Sequence, residues 1–309
     1  MSFTKADLAI STMWNFRKAH SGEELLDQLI ELGFERVELN YQVRPEWLDG
    51  VIKYVAGGKM KVSSVHNVFP KVFDERFDTD SVLLGYQDED LRRQAVELSK
   101  GSIDWACRLG AGAVVFHPTE VPMDRSKYDV ALKKMIVEHK ANTEEFRVLQ
   151  AEMIAARQPQ PYLDQMLKSI EELADYVVKN NLPVKLGMEN RAMCHQIPIF
   201  SEFDFIMDHF AGGPVGIWMD TGHAIMMQEL GLQQLPLSQR AADAIVGMHI
   251  HDAADSLDHY APCTLPGDML APFKPYIDRC PIKVLELSGR LSAEEIITGT
   301  ERFVDKYGK

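Results

Sequence analysis

Eight short apolar runs, each followed by a helical pattern, constrain this chain more than any other feature. The runs are DLAISTMW (7–14), RVELN (36–40), KVSSVH (61–66), AVVFHP (113–118), PVKLGMEN (183–190), VGIWMD (215–220), AIVGMHIHD (244–252) and KVLELS (283–288). Strand alternating with helix predicts a parallel sheet.

The helices announce themselves independently. Ser21 and Glu24 form a capping-box pattern ahead of Leu25, Leu26, Leu29 and Ile30, with Gly33 as the stop, and Ser292 with Glu295 opens a similar run at Ile296 and Ile297. Between 161 and 180, Leu163, Met166, Leu167, Ile170, Leu173, Ala174 and Val177 recur at helical spacing, so one face packs on the sheet.

Two units are swollen. The segment 67–90 is a long loop after the third run, and a helical pattern over 128–157, broken by QPQP, follows the fourth. Loops of that length in compact domains are usually functional or disordered. These two serve as a lid, a dimer arm or decoration, which leaves a homo-oligomer open. Eight units predict an α/β chain with one domain over 1–309, a (β/α)8 barrel with extended loops after strands 3 and 4 and a helical insertion at about 119–160. A doubly wound sheet gives the same alternation, and the polar strand ends decide for the barrel.

Composition adds limits. Hydrophobic residues make up 46% and charged residues 26%, ordinary for a globular protein with a full core. A net charge of −13 disfavours an extended nucleic-acid surface. The four cysteines, Cys107, Cys194, Cys263 and Cys280, show no C-x-x-C spacing and read as reduced thiols. With no signal-peptide pattern and no long apolar stretch, a cytoplasmic protein without membrane contact is expected.

Reading the carboxyl ends of the runs in order gives Glu38, His66, His117, Glu189, Asp220 with His223 just after it, His249 with His251 and Asp252, and Glu286. In a barrel such residues share one mouth. Taken singly, each is as well explained by a hydrogen bond or an ion pair in the packing. Taken together, so much converging carboxylate repels itself without a cation, and carboxylate and imidazole are ligands of divalent metals.

The series SVHNVFP, VVFHPT, LGMENR, MDTGHA, GMHIHDA and VLELS resembles the xylose-isomerase-like barrel superfamily, which includes sugar isomerases and epimerases, dehydratases and zinc apurinic endonucleases. The resemblance implies a divalent metal (Mn²⁺, Zn²⁺, Co²⁺ or Mg²⁺) on Glu189, Asp220, His249 and Glu286, with Glu189 and Glu286 also exchanging a substrate proton. It implies substrate contacts for His223 and, in several members, for His66 and His117. In the endonuclease branch those two histidines hold a second ion, and a D-x-H pair helps to hold a third. Here Asp258 and His259 are adjacent instead, which breaks that pattern. Arg191 reads as a substrate-oxygen clamp or an ion-pair partner, His251 as a further substrate contact, and Trp14 with Phe16 as a wall of the mouth or as packing.

The expected reaction is isomerisation or epimerisation of a small polyhydroxylated keto compound, through proton abstraction beside a carbonyl. Two alternatives stand: a lyase that loses water from a related keto compound, and an endonuclease-IV-like phosphodiester hydrolase.

Overall fold

The computed structural model describes residues 2–232 and 235–309. The eight apolar runs form β1 (Leu8–Ser11), β2 (Arg36–Leu39), β3 (Lys61–His66), β4 (Ala113–Phe116), β5 (Lys185–Glu189), β6 (Val215–Asp220), β7 (Ile245–Ile250) and β8 (Lys283–Leu285). They pair in chain order, all parallel, and β8 pairs with β1, so the sheet closes into a (β/α)8 barrel. Closure leaves no strand edge open to solvent. The register sets Ile10 beside Leu285, Glu189 beside Trp218, and Asp220 beside His249.

Some boundaries differ from the sequence expectation. The first run ends as a strand at Ser11, because the Ser11 hydroxyl accepts from the Met13 amide and turns Thr12–Trp14 into a 3-10 turn. Trp14 therefore stands above the barrel rim, not on a strand.

The helices are α1 (Gly22–Glu31), α2 (Leu48–Ala56), α3 (Glu89–Leu109), α4 (Ala131–Val137), α5 (Glu144–Ala156), α6 (Tyr162–Lys179), α7 (Phe200–His209), α8 (Thr221–Glu229), α9 (Gln239–Asp243), α10 (Lys274–Ile277) and α11 (Ala293–Tyr307). Ser21 accepts from the Glu24 amide, while the Glu24 carboxylate accepts from His20, one residue before the cap. Ser292 and Glu295 form the reciprocal pair at α11. On α6, Leu163, Met166, Leu167, Ile170, Leu173 and Val177 are buried, each contributing on the order of 2 kcal/mol relative to exposure.

The barrel floor is packed around Trp218, a fully buried indole that adjoins Ala9, Ala113, Val115 and Val284. It fits because Gly187 and Gly247 flank it: a Cβ at 247 would overlap the indole ring.

The helical pattern of 128–157 is two helices rather than one. Chain reversal at His139, with φ +58°, separates α4 from α5, and Thr143 caps α5 by accepting from Phe146. The insertion is anchored on both sides. Thr119–Glu120 pairs with Gln196–Ile197, and Arg157 reaches Glu202 at 2.6 and 3.0 Å and the Gln196 carbonyl at 2.9 Å. Leu132, Met135, Phe146 and Met153 pack on Cys194, Met227 and Leu230, which follow β5 and β6. The insertion thus lies at the carboxyl ends of the strands.

Candidate metal centre

Glu189 ends β5, Asp220 ends β6, His249 lies near the end of β7 and Glu286 follows β8. All four are buried, and their ligand atoms lie within 4.8 Å of one another. His249 Nδ1 stands 3.2 Å from Glu189 Oε1, 3.2 Å from Glu286 Oε2 and 3.5 Å from Asp220 Oδ2. Burial opposes a charge on His249, but Glu286, Glu38 and Glu189 outweigh it and hold the imidazole well above its ordinary pKa. Burial pushes Glu286 up to about 7 against the pull of His249, with Glu189 and Glu38 adding to the rise. Glu189 stays well below the usual range despite its burial, because His117 and His249 favour its charge.

The surroundings aim these groups. Glu38 presents both carboxylate oxygens to His249 Nε2, at 3.0 and 3.1 Å, and accepts from Ser64 at 2.8 Å. With Nε2–H donating to Glu38, Nδ1 is the nitrogen that faces the centre and can offer its lone pair once its own proton is displaced, the arrangement in which a carboxylate orients a metal-binding imidazole. Asn190 donates to the Asp220 carbonyl and accepts from its amide. Asp220 also caps α8, accepting from the His223 amide at 2.7 Å. His251 is fully buried behind Asp220; its Nδ1 accepts from the His259 amide, so Nε2–H donates to Asp220 Oδ2 at 3.0 Å.

Two further groups flank this centre. In the first, His66 Nδ1–H donates to the Asn67 carbonyl and His117 Nδ1–H to Asp80. Those bonds leave the two Nε2 atoms 3.0 Å apart, and 3.4 and 2.9 Å from Glu189 Oε2, which has no hydrogen-bond partner among the described residues. Three acceptors facing one another need a proton or a cation between them. Burial and Arg191 push His117 below its ordinary pKa, which keeps Nε2 unprotonated and able to accept from Arg191.

In the second group, His223 Nδ1–H donates to the Asn190 carbonyl and His259 Nδ1–H to the Glu286 carbonyl. Their Nε2 atoms both lie 3.6 Å from Asp258. Burial and the neighbouring His251 push His259 down to about 4. Adjacency of Asp258 and His259, which broke the expected spacing, does not separate them in space. Neighbours on a regular strand point to opposite faces, but His259 has φ +61° and breaks that alternation.

The strand-end residues read from the sequence are therefore brought together, except Asp252, whose carboxylate accepts from the Thr264 and Leu265 amides instead. Arg191, 6% exposed, is an ion-pair partner of Asp80, to which it donates at 2.8 Å, and it also donates to His117 Nε2. Trp14 lies farther out, its indole N–H donating to the Leu291 carbonyl. Sequence reasoning gave no role to Glu38, although it marked the residue as a strand end, and it missed Asp80 and Tyr41. The Tyr41 ring lies 5.2 Å from that of His66. Asp80 comes from the 67–90 segment, 37 residues before His117, and carried no motif.

Three carboxylates and one imidazole, buried and aimed at a common point, suit Mn²⁺, Mg²⁺ or Co²⁺ as well as Zn²⁺. A buried set of that charge fits a divalent ion better than an empty cavity. Among the described residues no helix is long and apolar enough to cross a membrane.

None of the curated proteins compared with the chain matches it. Among solved structures it is similar to a 3-keto-D-glucoside 4-epimerase from E. coli, at 13% identity and a TM-score of 0.64 over 98% of this chain and 100% of that one. It is similar to a D-psicose 3-epimerase in the presence of D-fructose, at 13% identity and 0.63 over all of both chains. It is also similar to a Thermus thermophilus protein soaked with ZnCl2, at 20% identity and 0.57 over 97% and 98%. At such identities the likeness shows the fold alone. The sequence model of the xylose isomerase-like TIM barrel matches residues 26–278, and the chain belongs to that family.

Proposed function

We propose that this protein is a metal-dependent isomerase or epimerase of a small sugar or keto-polyol. The observation that supports it most is the placement of Glu189 and Glu286, which come from β5 and β8 and meet His249 Nδ1 at the same 3.2 Å. Two carboxylates that approach one point from separate strands can address one carbon from two sides. The epimerase names of two structural neighbours agree with this reading.

Glu189, Asp220, His249 and Glu286 would hold the divalent ion. When bound, the ion supplies polarisation of a substrate carbonyl and acidifies the adjacent C–H. Glu189 and Glu286 take and return that proton at their carboxylate oxygens. The buried Arg191 guanidinium and the His66, His117 and His223 imidazoles orient the substrate oxygens. His251 supports Asp220 from behind. The same enediol chemistry in a lyase would expel a β-hydroxyl.

One observation favours a second reading. The groups at His66, His117 and Glu189, and at His223, Asp258 and His259, could carry further ions for a phosphodiester hydrolase. Against it, Arg191 donates into His117 Nε2 and supplies positive charge there without an ion. Incubation in D₂O with ketoses and keto-inositols separates the readings. Metal-dependent deuterium incorporation into carbon, abolished by Glu286→Gln, is expected. Absence of exchange with every compound, together with cleavage of an abasic-site substrate, would replace the proposal by the hydrolase.

A further inference from the structure

A cavity of about 600 Å³ adjoins the metal centre between the ends of β1, β2 and β8. Tyr41, in its wall, contacts the His66 ring, and Ser288 to Arg290 continue the chain directly from Glu286. Its charge is opposite to that of the molecule. On a chain of net charge −13, the lining carries Arg17, Lys18 and Arg290 and no carboxylate.

None of these three cations forms an ion pair among the described residues. Arg17 lies over Phe16 at 5.2 Å, Lys18 over Trp14 at 4.0 Å, and Arg290 donates to the Ser288 hydroxyl at 3.2 Å. Partial burial lowers the pKa of Lys18 with no carboxylate to offset it. The wall is also fixed. Trp14 is tied to the Leu291 carbonyl, and Gly289 passes so close to the Trp14 carbonyl that a Cβ there would lie 3.0 Å from it. A second cavity, of about 680 Å³, shares Phe16, Arg17 and Gln42 and continues to Lys71 and to Arg44, which pairs with Glu46 at 3.5 Å.

We infer that the substrate carries a phosphate monoester, held by Arg17, Lys18 and Arg290 while its carbonyl end lies at the metal centre. This rests on the isomerase reading for the reacting end only. Two guanidinium groups match the oxygens of a phosphate, and the ammonium adds a point charge. The distance is suitable: Arg290 lies four residues after Glu286 in the chain, a span of at most about 14 Å, and Arg290 lines the cavity.

The test compares binding, by calorimetry on the metal-loaded protein, of D-ribulose with D-ribulose 5-phosphate and of D-fructose with D-fructose 6-phosphate. Inorganic phosphate serves as the probe of the anion site alone. In at least one pair the phosphorylated sugar should bind at least about tenfold more tightly, the scale of one or two charge-assisted hydrogen bonds. That advantage should fall to about twofold or less in Arg17→Gln/Arg290→Gln and survive in Glu286→Gln. Both arginines are exposed, so the double variant keeps its fold, which circular dichroism checks. Lack of preference in both pairs, or a preference that survives the double variant, overturns the inference. A preference lost in the double variant without deuterium exchange in D₂O leaves the anion site standing and removes the isomerase reading instead.

Discussion

Glu38 grips His249 with both carboxylate oxygens, at 3.0 and 3.1 Å from Nε2, and both side chains are fully buried. The contact joins β2 to β7 across the barrel interior. It holds Nε2–H on Glu38, and so sets Nδ1 as the nitrogen that faces Glu189, Asp220 and Glu286.

Glu38→Gln should therefore weaken binding of the ion without removing any of its four ligands. The expected loss is about 10- to 100-fold in affinity for Mn²⁺, the usual effect of removing an orienting partner. Calorimetric titration, with circular dichroism to confirm the fold, measures it. Wild-type affinity in the variant would show that Glu38 is packing only.

Asp220→Asn removes one ligand charge while keeping shape and the α8 cap. Metal content by elemental analysis should fall below half of the wild-type value. Equal content in both proteins would move the ion to another group of residues.

Affinity for the ion should rise with pH. His249 has its pKa raised by Glu286, Glu38 and Glu189 despite burial, so without the ion it keeps its proton to higher pH than a free imidazole. Ligation takes the neutral nitrogen and displaces that proton. Below the raised pKa, each pH unit should gain up to about tenfold in affinity. Titrations in buffers of different ionisation enthalpy count the protons released. An affinity that is flat between pH 6 and 8 contradicts the assignment.

Gly247→Ala places a methyl group against the Trp218 ring in a closed barrel floor. Overpacking of this kind costs on the order of 1–3 kcal/mol. Denaturant unfolding should show a lower midpoint with an unchanged slope. A neutral result would mean that the indole has room to move.

Arg157→Met breaks the ion pair that ties the end of the insertion to Glu202. Loss of one partner of a buried pair costs about 3–5 kcal/mol, here spent locally. Limited trypsin digestion should cut at Lys134, Lys140 or Arg147 several-fold faster. In the wild type, cleavage there should be slow with or without a polyol, since the anchors do not depend on ligand; protection only on ligand addition would make the segment a lid.

The sequence exposed those parts of the site where charge interrupts an apolar run. Glu189, Asp220, His249 and Glu286 stood out because nothing in packing calls for them at a buried strand end. Other partners were hidden because they follow different rules. Glu38 sits in RVELN like any strand-end glutamate, and its role depends on which strand lies across the barrel. Asp80 reaches His117 from a loop without periodicity. The grouping of Asp258 with His223 and His259 depends on one left-handed residue, which spacing does not reveal. The division of the insertion at His139 was hidden in the same way.

Barrel closure also sets an order of events during synthesis. The four ligands belong to β5, β6, β7 and the end of β8, and the β1 edge has no second partner until β8 arrives. A nascent chain that has emerged as far as His249 holds three ligands and two unpaired edges. Ion capture by the complete set would thus be a late step, taken when the last strand closes the ring, and a bound ion would act as a seal on a finished barrel instead of a seed for folding.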